Sequence, residues 1–361
     1  MLNPRFMSAR HKTALLLTSL LALTACAPAT SSSPASAPFS KPSSSPAALV
    51  KQGLEAGKKY PGLGNICDLK KPLIFAGRHK NKKKRTLTAA ERQRRSAASV
   101  AEPTQVFDNL YFVGNKRVAS WAVKTSEGLI LIDAMNNNRQ AENIIVAGLK
   151  KLGLDPADVK YLIVTHAHGD HYGGQDYLVK HFHTRVVMSE RDWLMLERAE
   201  ELIANPRWGK APARDIAVSD GDVLTLGDTR IGLYVTPGHT MGTLSLLIPL
   251  KDGSDTHMAA LWGGTGLNFG PDETRIRLYA DSARRFRDIA KENSVDVFLS
   301  NHPRRDNALE RIARLKTRQA GEPHPFTDPG ALKAFDLLHD CSLAQAEQLH
   351  LRQTAAKKAT N

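Results

Sequence analysis

Three imidazoles and a carboxylate fall within six residues at His166-Ala167-His168-Gly169-Asp170-His171. Imidazole nitrogens mixed with a carboxylate oxygen suit a borderline-soft cation such as Zn²⁺. The stretch follows Tyr161-Leu162-Ile163-Val164-Thr165, an apolar, β-branched run that reads as a buried strand. The carboxyl end of a core strand is where an α/β protein keeps its chemistry. Polar groups held there without partners would be costly. On an extended chain His166 and His168 point to the same side. Gly169 gives the turn freedom, and Asp170 and His171 then address a second position nearby. So short a segment cannot close two metal sites, so distant ligands are required. His239, in Thr236-Pro237-Gly238-His239-Thr240, and His302, in Ser300-Asn301-His302-Pro303, each follow an apolar strand and a turn.

Elements able to position these residues can be read on either side. Phe107–Val113, Trp121–Val123 and Leu129–Asp133 read as strands punctuated by Gly114-Asn115 and Ser126-Glu127-Gly128. Arg139 to Leu152 carries a helical apolar face capped by Gly153. Gln175–Phe182 and Arg191–Ile203 read as helices around a strand at Arg185–Met188. Strands follow at Val223–Leu226, Thr229–Val235, Thr243–Ile248 and Met258–Trp262. A helix at Tyr279–Lys291, a strand at Val295–Ser300 and a helix at Ala308–Gln319 complete the pattern. That order suits an α/β fold of two mixed sheets face to face with helices outside.

With both late histidines in place, the chain resembles the metallo-β-lactamase fold superfamily over roughly residues 105–330. Its H-x-H-x-D-H signature is met by His166, His168, Asp170 and His171. The resemblance implies a four-layer αββα sandwich and two Zn²⁺. His166, His168 and His239 would hold one ion, and Asp170, His171 and His302 the other. Asp133 resembles a family carboxylate that supports a ligand from behind. Glyoxalase II, many lactonases and the nucleases of the superfamily carry a metal-bridging Asp where this chain has Thr265, in Leu261-Trp262-Gly263-Gly264-Thr265-Gly266. That non-carboxylate, with the His-rich ligand set, most resembles the third subclass of class B β-lactamases, although Ser is the usual residue there. Two Zn²⁺ on six ligands would keep open positions. Water between them would be acidified towards ~7 and attack a polarised acyl carbon. Asp170 would ligate, orient the nucleophile and pass a proton to the leaving group. Lacking a bridging carboxylate, the second site should be the weaker.

The remaining residues bound the reading. Residues 1–25 resemble a lipoprotein-type signal peptide. Arg5, Arg10 and Lys12 precede the apolar run Thr13–Leu23, which is too short to span a bilayer, and Leu23-Thr24-Ala25-Cys26 resembles a lipobox. Cys26 would then carry the lipid anchor to the cell envelope, in the periplasm. Residues 26–50 read as a Ser/Pro/Ala-rich tether, and 51–104 as an N-terminal extension with a basic insertion. Residues 105–330 form the hydrolase domain, and 331–361 a C-terminal helix and tail. The net charge of +14 is largely local, since Arg78–Arg95 holds nine Lys/Arg and one Glu. A polyanion groove would spread basic residues over the catalytic domain, so no nucleic-acid partner is expected. Cys67 and Cys341 could form one disulfide or remain apart; their spacing leaves both open.

His181, His183, His257 and His324 lack ligand-like placement. Trp193, Trp208 and Trp262 read as core or rim, and Trp121 as a candidate flap over the metals. Neither a phosphate-binding Gly-rich loop nor a Ser-His-Asp order competes with the histidine cluster. The expected function is hydrolysis of a β-lactam or similar cyclic amide, a small-molecule substrate. A lactone or thioester hydrolase is the alternative enzyme, and a non-catalytic zinc-binding envelope protein the alternative class. Substrate range would rest on loops around 115–121, 204–214 and 266–275.

Overall fold

Alternating side chains on β4 (Gly128–Ile132) show how the layers are built. Ile130 and Ile132 turn into the space between two sheets, while Leu129 and Leu131 turn towards helices on the other side. Ile163 and Leu162 of β5 (Val159–Ile163) divide in the same way, as do Val187 and the pair Val186 and Met188 of β6 (Arg185–Ser189). Period-two alternation with both faces apolar is the pattern of strands buried on both sides. The computed structural model describes residues 44–75, 99–198 and 205–360, with a few isolated positions between 88 and 94.

The first sheet has seven strands in the order β1-β2-β3-β4-β5-β6-β7. The others are β1 (Thr104–Phe107), β2 (Leu110–Phe112), β3 (Trp121–Thr125) and β7 (Ile216–Val218). The first four strands pair antiparallel and β4 to β7 pair parallel. The second sheet runs β12-β11-β10-β9-β8. It comprises β8 (Asp222–Leu226), β9 (Thr229–Val235), β10 (Leu244–Asp252), β11 (Asp255–Trp262) and β12 (Val297–Ser300). Only β11 and β12 pair parallel in it.

Helices cover the outer faces. α1 (Pro46–Ala56) is followed much later by α2 (Asn138–Gln140), which runs through a π-helical turn (Ala141–Val146) into α3 (Ala147–Lys151). Next come α4 (Gly169–Tyr172), α5 (Gln175–Phe182), α6 (Glu190–Glu197), α7 (Glu273–Glu292), α8 (Ala308–Leu315) and α9 (Lys333–Thr360). Ile145, Leu149, Leu178 and Trp193 close the first outer layer. Tyr279, Ala283 and Phe286 of α7, with Phe335 and Leu338 of α9, close the other against Trp262 and Phe298. The αββα sandwich expected from the sequence is the observed fold.

Several boundaries differ from the sequence reading. α1 begins at Pro46, capped by the Ser45 hydroxyl, within the stretch read as tether. α7 starts at Glu273, six residues before the expected Tyr279, because Asp272 caps it through the Arg275 N–H. Residues 51–75 and α9 are not appendages. Tyr60, Leu63, Ile66 and Cys67 share one apolar cluster with α7 and α9, and a Cys67–Cys341 disulfide ties the two ends of the chain together. Trp121 is not a flap. It is fully buried between the sheets, and its Nε1–H donates to the Ser300 carbonyl at 3.1 Å. The signal-peptide stretch, Cys26 and most of Arg78–Arg95 lie outside the described residues. Among the described residues no helix is long and apolar enough to cross a membrane.

The disulfide closes a loop of 274 residues. Removing such a cross-link frees the unfolded chain and typically costs about 2–4 kcal/mol. Cys341→Ser should lower the stability by that amount in denaturant unfolding followed by tryptophan fluorescence. An unchanged midpoint, with and without reductant, would contradict the role assigned to this bond.

Candidate metal centre

The candidate ligands collect at strand ends on one rim of the sandwich. β5 runs into His166 and His168, and the short α4 carries Asp170 and His171. The turn between β9 and β10 carries His239, and the turn after β12 carries His302. All six residues named from the sequence meet in two groups, His166–His168–His239 and Asp170–His171–His302. Within each group the donor atoms lie within 4.8 Å of one another. The first group is buried throughout, whereas Asp170 and His302 of the second are partly exposed.

Two glycines allow this convergence. A Cβ on Gly169 would lie 2.5–2.6 Å from the Trp208 side chain, so the requirement there is space rather than the conformational freedom expected from the sequence. Gly238, just before His239, has φ +138° and packs against Tyr279, where a Cβ would come within 2.8 Å of the backbone.

Hydrogen bonds select which nitrogen faces inward for four of the five rings, His168 excepted. The His239 Nδ1–H donates to the Gly266 carbonyl at 2.7 Å, leaving the Nε2 lone pair free. The Thr165 hydroxyl donates to Asp133 Oδ2 at 2.9 Å and so is left to accept from His166 Nδ1–H at 3.2 Å. His302 Nδ1–H donates to the Arg117 carbonyl, and His171 Nδ1–H to Asp133 Oδ2 at 2.6 Å. The inward Nε2 atoms of His166 and His239 are then two lone pairs only 3.1 Å apart. His171 Nε2 is buried with no hydrogen-bond partner. Facing lone pairs and an orphaned buried nitrogen are unfavourable by themselves and fit a cation well.

The electrostatics point the same way. Burial, then the neighbouring imidazoles, hold His166 and His239 well below the ordinary histidine range. Burial lowers His168 to about 4. Burial would raise Asp170, but His171, His302 and His168 outweigh it and bring the carboxyl down to about 2. The first group thus offers neutral imidazoles and Asp170 an ionised carboxylate, the protonation states a metal requires, whereas at His171 burial is outweighed by Asp133 and Asp170, which hold the ring above the ordinary histidine range.

Asp133 anchors the centre from behind. It is fully buried at the end of β4 with φ 61°, a left-handed conformation that Asp tolerates better than most residues. That backbone turn lets its carboxylate accept from Thr165 N–H, from the Thr165 hydroxyl and from His171. Thr265 is buried between Gly264 and Gly266, whose backbone packs on the His239 ring. His257 pairs with Asp296, and His324 stacks on Phe107, both away from the centre.

Sequence reasoning missed two residues. Trp208, read as core or rim, stacks near His168 with ring centres 6.2 Å apart. Asp192 links the two loops that carry the first histidine group. Neither belongs to a local motif.

Two grooves flank the centre. One, beside Asp170 and His302, is lined by Arg117, Arg139, Arg207, Asn136 and Trp208 among others. The other, beside His168 and His239, is lined by Phe75, Met195, Met241, Phe269 and Arg275 among others.

With this geometry in hand, residues 113–252 match the family model described as the metallo-beta-lactamase superfamily. The domain belongs to the metallo-β-lactamase superfamily. Among solved structures, the chain is similar to BJP-1, a subclass B3 metallo-β-lactamase of Bradyrhizobium japonicum. Identity is 29%, the TM-score is 0.53, and the match covers 73% of this chain and 96% of that one. Curated relatives include a hydroxyacylglutathione hydrolase of Mesorhizobium japonicum, 35% identical over 29% of this chain and 34% of its own length. An N-acyl homoserine lactonase of a Bacillus species is 28% identical over 36% of this chain and 56% of its own. These two relatives are therefore matched over about a third and just over half of their length. The domain is that of a metallo-hydrolase with a histidine-rich metal site.

Because Asp133 orients His171, Asp133→Ala should weaken metal uptake by the Asp170–His171–His302 group about 10–100-fold. Competition against a chromophoric chelator measures this, and wild-type affinity in the variant would rule the role out.

Proposed function

We propose that this protein is a dinuclear zinc hydrolase that opens a β-lactam or a closely similar cyclic amide. The observation that carries the reading is the pair of donor groups, together with Thr265 rather than a carboxylate in the buried segment that packs on His239. Zinc bound there would supply an acidified water and a polarising centre for the acyl oxygen. His166, His168 and His239 would hold one ion through neutral rings, those of His166 and His239 oriented by Thr165 and Gly266. Asp170 ligates at the second group, and its ionised carboxylate, partly exposed to the groove, is placed to orient the nucleophile and to hold a proton on its way to the leaving group. Trp208 and the first groove confine the substrate beside Asp170. Apart from Asp170, the described residues lining that groove include no acid, and its three arginines suit a substrate that carries a carboxylate.

A lactone or thioester hydrolase is the second reading. It is favoured by the names of the curated relatives and opposed by Thr265, where the family resemblance implies a bridging Asp for glyoxalase II and many lactonases. We further propose that the protein is exported to the periplasm and anchored through a lipidated Cys26. The sequence of residues 1–26 and the Cys67–Cys341 disulfide, a bond of oxidising compartments, support this placement.

Zinc-loaded protein should hydrolyse nitrocefin and a carbapenem, and a chelator should abolish turnover reversibly. His239→Ala should lower kcat/KM by more than the about 10–100-fold that loss of a supporting residue costs. Opening of acyl-homoserine lactones with β-lactams left intact would transfer the assignment to the second reading. Calorimetric titration of the apoprotein should find two unequal zinc sites, the partly exposed one weaker. Two equally tight sites would refute the inequality.

A further inference from the structure

Asp192 is fully buried in the first turn of α6, yet it is neither a candidate ligand nor part of a groove. Its Oδ2 accepts from the Ala167 N–H at 2.8 Å and from the Thr240 hydroxyl at 2.7 Å, and its Oδ1 accepts from the Gly242 N–H at 2.8 Å. Ala167 lies between His166 and His168, and Thr240 directly follows His239. One carboxylate therefore grips both loops of the first histidine group. Ser189, the cap of the same helix, adds a second hold: its hydroxyl donates to the Gly242 carbonyl at 2.5 Å. On the other side of the His239 turn, the Arg275 guanidinium donates to the Gly238 and His239 carbonyls at 2.7 and 2.8 Å.

The chemistry of the side chain matters here. Three donors arriving from two loops need two acceptor oxygens, which a carboxylate has and an amide lacks. Burying a carboxylate is costly unless its hydrogen bonds are made, and simple packing of α6 on the sheet does not call for one. The second group is held differently. His171 rests on Asp133 and His302 on the Arg117 carbonyl, and Asp192 touches neither.

We propose that Asp192 is a positioning residue that sets the distance between the His166–His168 loop and the His239 turn, and so holds the first metal site, and not the second, at binding geometry. The inference rests on reading the first group as a zinc site. It adds to that reading a selective dependence on a residue that touches neither metal nor substrate.

The test compares wild type, Asp192→Asn and Thr240→Val. Each is titrated with zinc against a chromophoric chelator, and each is loaded with cobalt(II) for its absorption spectrum. His239→Ala and His302→Ala supply reference spectra for depletion of the first and second sites. Asp192→Asn should keep the wild-type far-UV circular dichroism. It should lose about 10–100-fold in affinity at the first site, with the second unchanged, and give the His239→Ala type of spectrum. Thr240→Val, which removes one of the three bonds to Asp192 along with the hydroxyl contact to Thr243, should lose less in the same direction, and it carries the test if Asp192→Asn does not fold. Folded variants that take up both metals with wild-type affinity, or that weaken both sites equally, would overturn the proposal. Wild-type protein that binds no transition metal would instead overturn the zinc reading, and the proposal with it.

Discussion

Two unprotonated ring nitrogens held 3.1 Å apart in a buried space repel one another, and most of the surrounding structure exists to keep them there. The repulsion becomes attraction only when a cation stands between them. Four of the five His rings, all but His168, give their outer N–H to a fixed acceptor, which settles the tautomer before any metal arrives. Asp133 in its left-handed conformation, and Asp192 buried within α6, are unfavourable choices in isolation. They make sense as the groups that fix the rings.

The free energy that tolerates this strain comes from elsewhere. Three apolar layers hold fully buried Trp121, Trp193 and Trp262, together with many Ile, Leu and Val residues from strands covered on both faces. Burying one such large side chain contributes about 1.5–3 kcal/mol. A single buried carboxylate with its hydrogen bonds made is therefore a small fraction of the total. The disulfide and the packing of α1 against α9 stabilise the second outer layer, on which α7 and its Arg275 depend.

The centre was largely legible in the sequence because its ligands sit in a short motif or directly after apolar strands. His166 to His171 signal metal by type and spacing, and His239 and His302 are each announced by a strand and a turn. The layered fold was legible for a related reason, since strand and helix periodicities alternate clearly from Phe107 onward. Asp192 was not legible. An Asp in the first turn of a helix is favoured by the helix dipole whatever its other partners, so nothing local distinguishes a staple from ordinary capping chemistry. Trp208 was missed because its neighbour, His168, is forty residues away. Trp121 was misread because its position beside a turn hides the alternation that buries it. Residues 51–75 read only as part of an extension because their apolar side chains complete the packing of α7 and α9 rather than a face of their own.

Charge balance separates the candidate substrates more sharply than shape does. On the two-zinc reading, the ligand set opposes two divalent cations with one carboxylate, Asp170, since the other ligands are neutral rings. Asp133 adds a negative charge only at one remove, through His171. A bridging Asp at position 265 would have offset much of the excess, and Thr265 does not. Arg117, Arg139 and Arg207 deepen the positive potential along the groove beside Asp170. Such a site gains most from a substrate that brings its own negative charge and from a transition state that develops more. A β-lactam does both, through its carboxylate and through the oxyanion and amide nitrogen of the opening ring. A neutral lactone brings no charge of its own and gains only from the second effect. On the proposed function, the same reasoning gives the arginine flank a purpose that the metal ligands alone do not supply: it would turn a general acyl hydrolase centre towards anionic cyclic amides.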